Sequence, residues 1–182
     1  SRIAKALDLP HNSPHAAKLS RRKDLSRQVL QQAGVSVPAF RVVELDAPLT
    51  EQLQGIDFPC VIKPLAMSAS RGVIRADDPV AAKAACTRVQ TLLREVAGKD
   101  PFADSHLLVE QFVPGPEVAL EGLLHHGRLE VLAIFDKPDP LDGPYFEETY
   151  YITPSRHPDA VQQRLVDCVQ AACVAHDLQE GP

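Results

Sequence analysis

Apolar and polar positions change period several times along the chain, and each change predicts an element. Residues 1–17 read as a short helix followed by a loop around Pro10 and Pro14. From residue 18 to 33, Leu19, Leu25, Val29 and Leu30 recur at helical spacing, and Gly34 is a natural stop. A strand over 39–44 follows Val35-Ser36-Val37-Pro38, then a turn and short helix over 46–55. Cys60-Val61-Ile62-Lys63-Pro64 is an apolar strand ending on a lysine and a proline. A loop of small residues over 65–73 leads to a returning strand at 73–75. Asp77-Asp78-Pro79 signals a helix start, because either aspartate can cap and proline is tolerated in the first turn. That helix runs to about residue 97, with Val80, Ala84, Val89, Leu92, Leu93 and Val96 inward and Gly98 ending it.

The second half changes character. Residues 106–111 form a strand, and Phe112-Val113-Pro114-Gly115-Pro116 is a rigid connector. Residues 117–124 and 129–135 alternate and flank His125-His126-Gly127-Arg128, the signature of a hairpin. A Pro/Asp/Gly loop over 136–144 and a mixed stretch over 145–153 precede a helix over 158–178. Its stripe is Val161, Leu165, Cys168, Val169 and Ala172. Helices and strands alternate early, and a hairpin plus helix comes late. The fold class is α/β (α+β) in two small lobes. The expected organisation is a helical linker segment over 1–56, a first lobe over 57–114 and a second over 115–182.

Bulk properties narrow the function. The 182 residues carry a net charge of −5, which argues against a nucleic-acid binder working by phosphate neutralisation. The basic cluster over 18–27 is equally a solvated helix face. No apolar run approaches the roughly 20 residues of a membrane helix, and no signal core opens the chain. The four cysteines show no zinc frame. Cys168 and Cys173 fall in the apolar helix as buried free thiols, so a reducing, cytoplasmic setting is expected. His11 and His15 have ligand spacing, but Pro14 between them breaks a regular helix.

Three short segments carry candidate chemistry. Neither a P-loop nor a dinucleotide fingerprint is present, so a nucleotide site must be built otherwise. Lys63 can place a point charge on a phosphate, or snorkel to water. Ser68, Ala69, Ser70, Arg71 and Gly72 let backbone amides and two hydroxyls approach a polyanion, or simply turn a hairpin. The extended connector can meet adenine through main-chain groups. Glu117 just beyond it can accept both ribose hydroxyls, or stand on the surface.

In that order and spacing, "FPCVIKP…SASRGV…LLVEQFVPGPEVALEGLLHHG" resembles the ATP-grasp ligases. The likeness extends upstream to Lys23, Arg27 and "AGVSVP". Downstream, "FDKPDPLDGPYFEETYYITPS" resembles the amino-acid-ligase branch, with its dipeptide-forming and carnosine-synthase-like members. The resemblance implies two lobes clasping ATP. It implies Lys23 and Lys63 on phosphates, residues 67–72 as a mobile loop, Glu110, Gln111 and Val113 along the adenine edge through main-chain atoms, and Glu117 on the ribose. Glu121, four residues on, would point into the cleft.

The implied reaction is phosphoryl transfer from ATP to a small carboxylic or amino acid, followed by attack of an amine on the acyl phosphate. Such chemistry runs on positioning and charge neutralisation. The family's magnesium motif is not found, so Mg²⁺ ligands are expected beyond Pro182 and the chain reads as an incomplete core, inactive alone. Glu147 and Glu148 are not assigned to the metal. A homodimer is an allowed assembly. The alternatives are a purine-pathway or biotin-carboxylase-like enzyme of the same family, and a degenerate non-catalytic nucleotide-binding module.

Overall fold

A computed structural model describes residues 2–96, 100–146 and 148–182. Gly98 and Glu147 lie outside these residues. The chain begins with α1 (Arg2–Ala6), α2 (Pro14–Arg21) and α3 (Lys23–Gln32), followed by β1 (Phe40–Glu44) and α4 (Leu49–Gln52). Next come β2 (Cys60–Pro64), β3 (Ile74–Ala76), α5 (Pro79–Val96), α6 (Pro101–Ser105) and β4 (His106–Gln111). The last elements are β5 (Glu117–His125), β6 (Arg128–Lys137) and α7 (Asp159–Ala175).

Strands β1–β4 form one antiparallel sheet in the order β1-β4-β2-β3, while β5 and β6 form a separate hairpin. Both lobes are thus mixed α/β with antiparallel pairing. The first sheet takes β1 from the segment before residue 57, with Phe40 opposite Glu110.

The period of two in a strand divides this sheet into two faces. Cys60 and Ile62 of β2, Leu107 and Val109 of β4 and Val43 of β1 pack under α5, with Ala82, Ala85, Cys86, Val89 and Leu93. Each large apolar side chain buried there contributes about 1.5–3 kcal/mol. The opposite face carries Val61 and Lys63 of β2 and Leu108 and Glu110 of β4, the surface on which the cleft is built.

Several sequence expectations shift. The predicted helix over 18–33 is two helices, broken at Arg22, which is extended at φ −106° and ψ 104°. Tertiary pairing overrides helical propensity there. Arg22 is buried and forms ion pairs with Asp24 at 2.7 Å and Asp100 at 2.9 Å. The Lys23 N–H leaves the helix ladder to donate to the Leu65 carbonyl.

Helix α5 is capped by Asp78, whose Oδ1 accepts from the Ala81 N–H. Its buried stripe is shifted round the helix from the expected one, leaving Val80 and Val96 exposed. Among the described residues of 145–153 there is no strand, only isolated bridges from Tyr145 to Ile74 and from Ile152 to Asp136. Helix α7 has no fully buried residue, so Cys168 is exposed and Cys173 half-buried, contrary to expectation. The buried thiols are Cys60 and Cys86, both pushed up to about 11 by burial.

Among the contacts that hold the second lobe to the rest of the chain are two side-chain ties. Arg75 on β3 donates to the Asp142 carbonyl at 2.7 Å, and its own N–H donates to the Pro144 carbonyl. Buried His176, just after α7, meets the Ser26 hydroxyl of α3 at 2.9 Å.

Candidate functional site

The residues facing this second side of the sheet enclose a cleft of about 990 Å³ between the four-stranded sheet and the hairpin. Its floor is β2 and β4. One wall is α3 and the β2–β3 loop, and the other is β5, β6 and the chain beyond them.

The centre of the floor is an ionic cluster. Glu110 is 2% exposed and pairs with Lys63, and Arg27 Nε reaches its Oε1 at 2.5 Å. Burial alone would raise the Glu110 carboxyl, but the two cations outweigh it and hold it below its usual value. Lys23 lies one helical turn before Arg27 and faces the same side. Its Nζ donates to the Met67 carbonyl. Burial, then the nearby Lys63 charge, pushes the Lys23 ammonium down.

Three cations therefore surround one carboxylate. Lys23 also stands at the first position of α3, where the helix dipole disfavours a cation. An incoming polyanion relieves both costs.

The β2–β3 loop brings Met67, Ser68, Ala69 and Ser70 to the cleft. Ala69 and Ser70 adopt positive φ of 56° and 51°, an uncommon left-handed backbone for residues with a Cβ. Arg71 and Gly72 do not line the cleft. They face a neighbouring depression with Arg88, Leu92 and Tyr145. Gly72 is a packing requirement: its φ is +72°, and a Cβ would lie 2.9 Å from Pro64 Cγ.

The connector after β4 supplies Gln111, Phe112 and Val113 to the same cleft. The Gln111 and Phe112 N–H groups are committed to the Ala39 and Pro59 carbonyls. The Val113 N–H has no protein partner among the described residues. Glu110, expected along the same edge through its main chain, lies between β1 and β2 in the sheet, and its contribution is the buried carboxylate.

Glu117 lines the opposite wall beside a lysine that the sequence does not single out. Lys137 sits directly across the hairpin and reaches Glu117 Oε1 at 2.5 Å and Glu148 Oε1 at 2.7 Å. Burial would lower the Lys137 ammonium, but these carboxylates outweigh it and hold it above the usual lysine value. Glu121 is exposed and does not line the cleft. Four residues of strand carry it about 13 Å from Glu117.

Asp136, Asp139, Arg156 and His157 also line the cleft without being legible in advance. Asp136 is held by the Ser155 hydroxyl at 2.6 Å and the Arg156 N–H at 3.0 Å, which lower its carboxyl to about 2. The Thr149 hydroxyl donates to Asp139 at 2.7 Å. Only the hairpin register and the return of 152–157 against β6 reveal these partners.

Magnesium calls for oxygen ligands in near-octahedral geometry. Of the lining carboxylates, Glu110, Glu117, Asp136, Asp139 and Glu148 are already held by cations, hydroxyls or amides, leaving Asp142 without a carboxylate companion. The described residues do not fit a magnesium site.

Comparison with known proteins identifies the family. A family model described as an ATP-grasp domain matches residues 56–182. An alanine–anticapsin ligase from Bacillus amyloliquefaciens is 27% identical over 186 residues, covering 94% of this chain and 39% of that protein. A D-alanine–D-alanine ligase from Bordetella petrii is 27% identical, covering 88% of this chain and 48% of that protein. The crystal structure of an L-amino acid ligase from Bacillus licheniformis superposes with a TM-score of 0.79 at 29% identity, covering 99% of this chain and 39% of that one. The chain thus spans less than half the length of these relatives, and over that span it belongs to the ATP-grasp family.

Proposed function

We propose that the cleft binds ATP and that the whole protein is an ATP-dependent carboxylate–amine ligase acting on a small carboxylic or amino acid. The observation that carries this reading is the excess of positive charge around Glu110. Lys23, Lys63 and Arg27 face one buried carboxylate at the end of a loop of small residues, an arrangement suited to a polyphosphate.

In this reading the phosphates lie at Lys23, Lys63 and the amides and hydroxyls of 68–70. Adenine lies along Gln111 and Val113, where the free Val113 N–H can donate to a ring nitrogen. Glu117 accepts from the ribose hydroxyls, with Lys137 fixing its orientation. Arg156 and His157, on the far wall, are suited to the substrate carboxylate.

The substrate carboxylate oxygen attacks the γ-phosphorus, and the bond to the β-bridging oxygen breaks, releasing ADP. The amine nitrogen then attacks the acyl carbon, phosphate leaves, and the nitrogen loses a proton. The cations offset charge on the transferring phosphoryl group. Amino-acid ligation is favoured over the family's other chemistries by the likeness to the alanine–anticapsin and L-amino acid ligases.

The test is ADP release by the whole protein with ATP and mixtures of amino acids. Release that depends on an added amino acid, with a dipeptide-type product in stoichiometric amount, is expected. Release indifferent to any carboxylate or amine would reject ligation.

A further inference from the structure

The β5–β6 turn gathers a second set of ligand atoms away from the cleft. His125 ends β5 and His126 follows it in the turn, while Glu180 reaches them from the segment after α7. His125 Nδ1 lies 3.3 Å from Glu180 Oε2, and His126 Nδ1 lies 3.1 Å from Glu180 Oε1. One donor atom from each of the three residues falls within 4.8 Å of the others. None of the three lines the cleft.

Backbone bonds fix this meeting independently of the side chains. Leu124 and Gly181 exchange N–H···O bonds of 2.8 and 3.0 Å, and the Gly127 N–H donates to the Gln179 carbonyl at 2.9 Å. Asn12 accepts from the Gln179 and Glu180 N–H groups and donates to the Glu180 carbonyl at 2.6 Å. The Glu180 carboxylate is further aimed by the His126 N–H at 3.2 Å. His126 and Gly127 both have positive φ, 51° and 76°. Two-residue turns of this kind prefer Asn-Gly, and histidine is among the residues that tolerate the positive φ of the first position.

A tetrahedral zinc ion with bonds of about 2.0–2.2 Å holds its ligand atoms about 3.4 Å apart. The two imidazole–carboxylate separations lie within a few tenths of that value but run to different Glu180 oxygens, so binding through one oxygen requires the carboxylate to turn. Imidazole and carboxylate together suit zinc and its first-row neighbours. The histidine side chains are 77% and 76% exposed, which gives an ion an entry path and leaves a fourth position for water.

We propose that His125, His126 and Glu180 bind a divalent cation of the zinc type, clamping the β5–β6 turn to the segment at 179–181. This site is independent of the ATP cleft.

The test titrates zinc chloride into the metal-free whole protein at about pH 7.5 and reads the heat. One equivalent per chain at this site is expected. His126→Asn, which tolerates the positive φ, and Glu180→Gln should each weaken binding at least tenfold. Cobalt(II) substitution identifies the donors: nitrogen and oxygen ligands give d–d bands without a thiolate charge-transfer band. A thiolate band would move the binding to Cys168 or Cys173 and overturn the proposal. So would unchanged zinc affinity in both variants, or no stoichiometric binding in the wild type.

Discussion

Glu110 is the residue on which the cleft depends. It is almost fully buried and holds Lys63 and Arg27 in place. Losing the carboxylate would leave two half-buried cations facing each other, with Lys23 close by. Breaking such a buried pair typically costs about 3–5 kcal/mol. Urea denaturation of Glu110→Gln should show a loss of that size, and a change below about 1 kcal/mol would contradict the assignment.

Lys63 is legible in the sequence, because a lysine closing an apolar strand needs an anion or an exit to water. The structural role of Glu110 is not legible, because its partner Arg27 lies 83 residues away along the chain. Glu117 is legible from its place after the Pro-Gly-Pro connector. Its partner Lys137 emerges only from the hairpin register.

At the scale of elements, strands and their order follow closely from alternation and turn residues, whereas helix breaks and loop returns depend on distant groups. The break at Arg22 goes with the Lys23 N–H bond to the distant Leu65 carbonyl and an ion pair to Asp100 beside the local one to Asp24, and the docking of 152–157 on β6 is set by Asp136. That second contact has a pH signature. The folded-state carboxyl of Asp136 is lowered to about 2, so its ionised form is stabilised by folding. The contribution is present above the unfolded value near 4 and is lost as pH falls through about 2. The difference in melting temperature between the wild type and Asp136→Asn should therefore be full at about pH 6 and shrink steadily below about pH 4. A gap that stays constant down to acid unfolding would show that the carboxylate does not anchor this segment.

The whole molecule is a four-stranded sheet facing a hairpin across a cleft, tied together by Arg75 to the 142–144 loop and by His176 to α3. The two-lobed α/β architecture is legible from the chain's changes of period. The cleft's enclosure on the hairpin side is not, because the described residues of 138–157 are largely irregular and their contacts are long-range. No helix among the described residues is long and apolar enough to cross a membrane.

In the proposed reading the excess positive charge on the sheet face neutralises the phosphates of ATP. Calorimetric titration of ATP into the whole protein and into Lys63→Ala decides this. A charge-assisted contact is worth roughly 1.5–3 kcal/mol, so Lys63→Ala should bind ATP at least tenfold more weakly. The Glu110–Arg27 pair should still keep that variant folded. Equal affinities in the two proteins would show that Lys63 does not bind the phosphates.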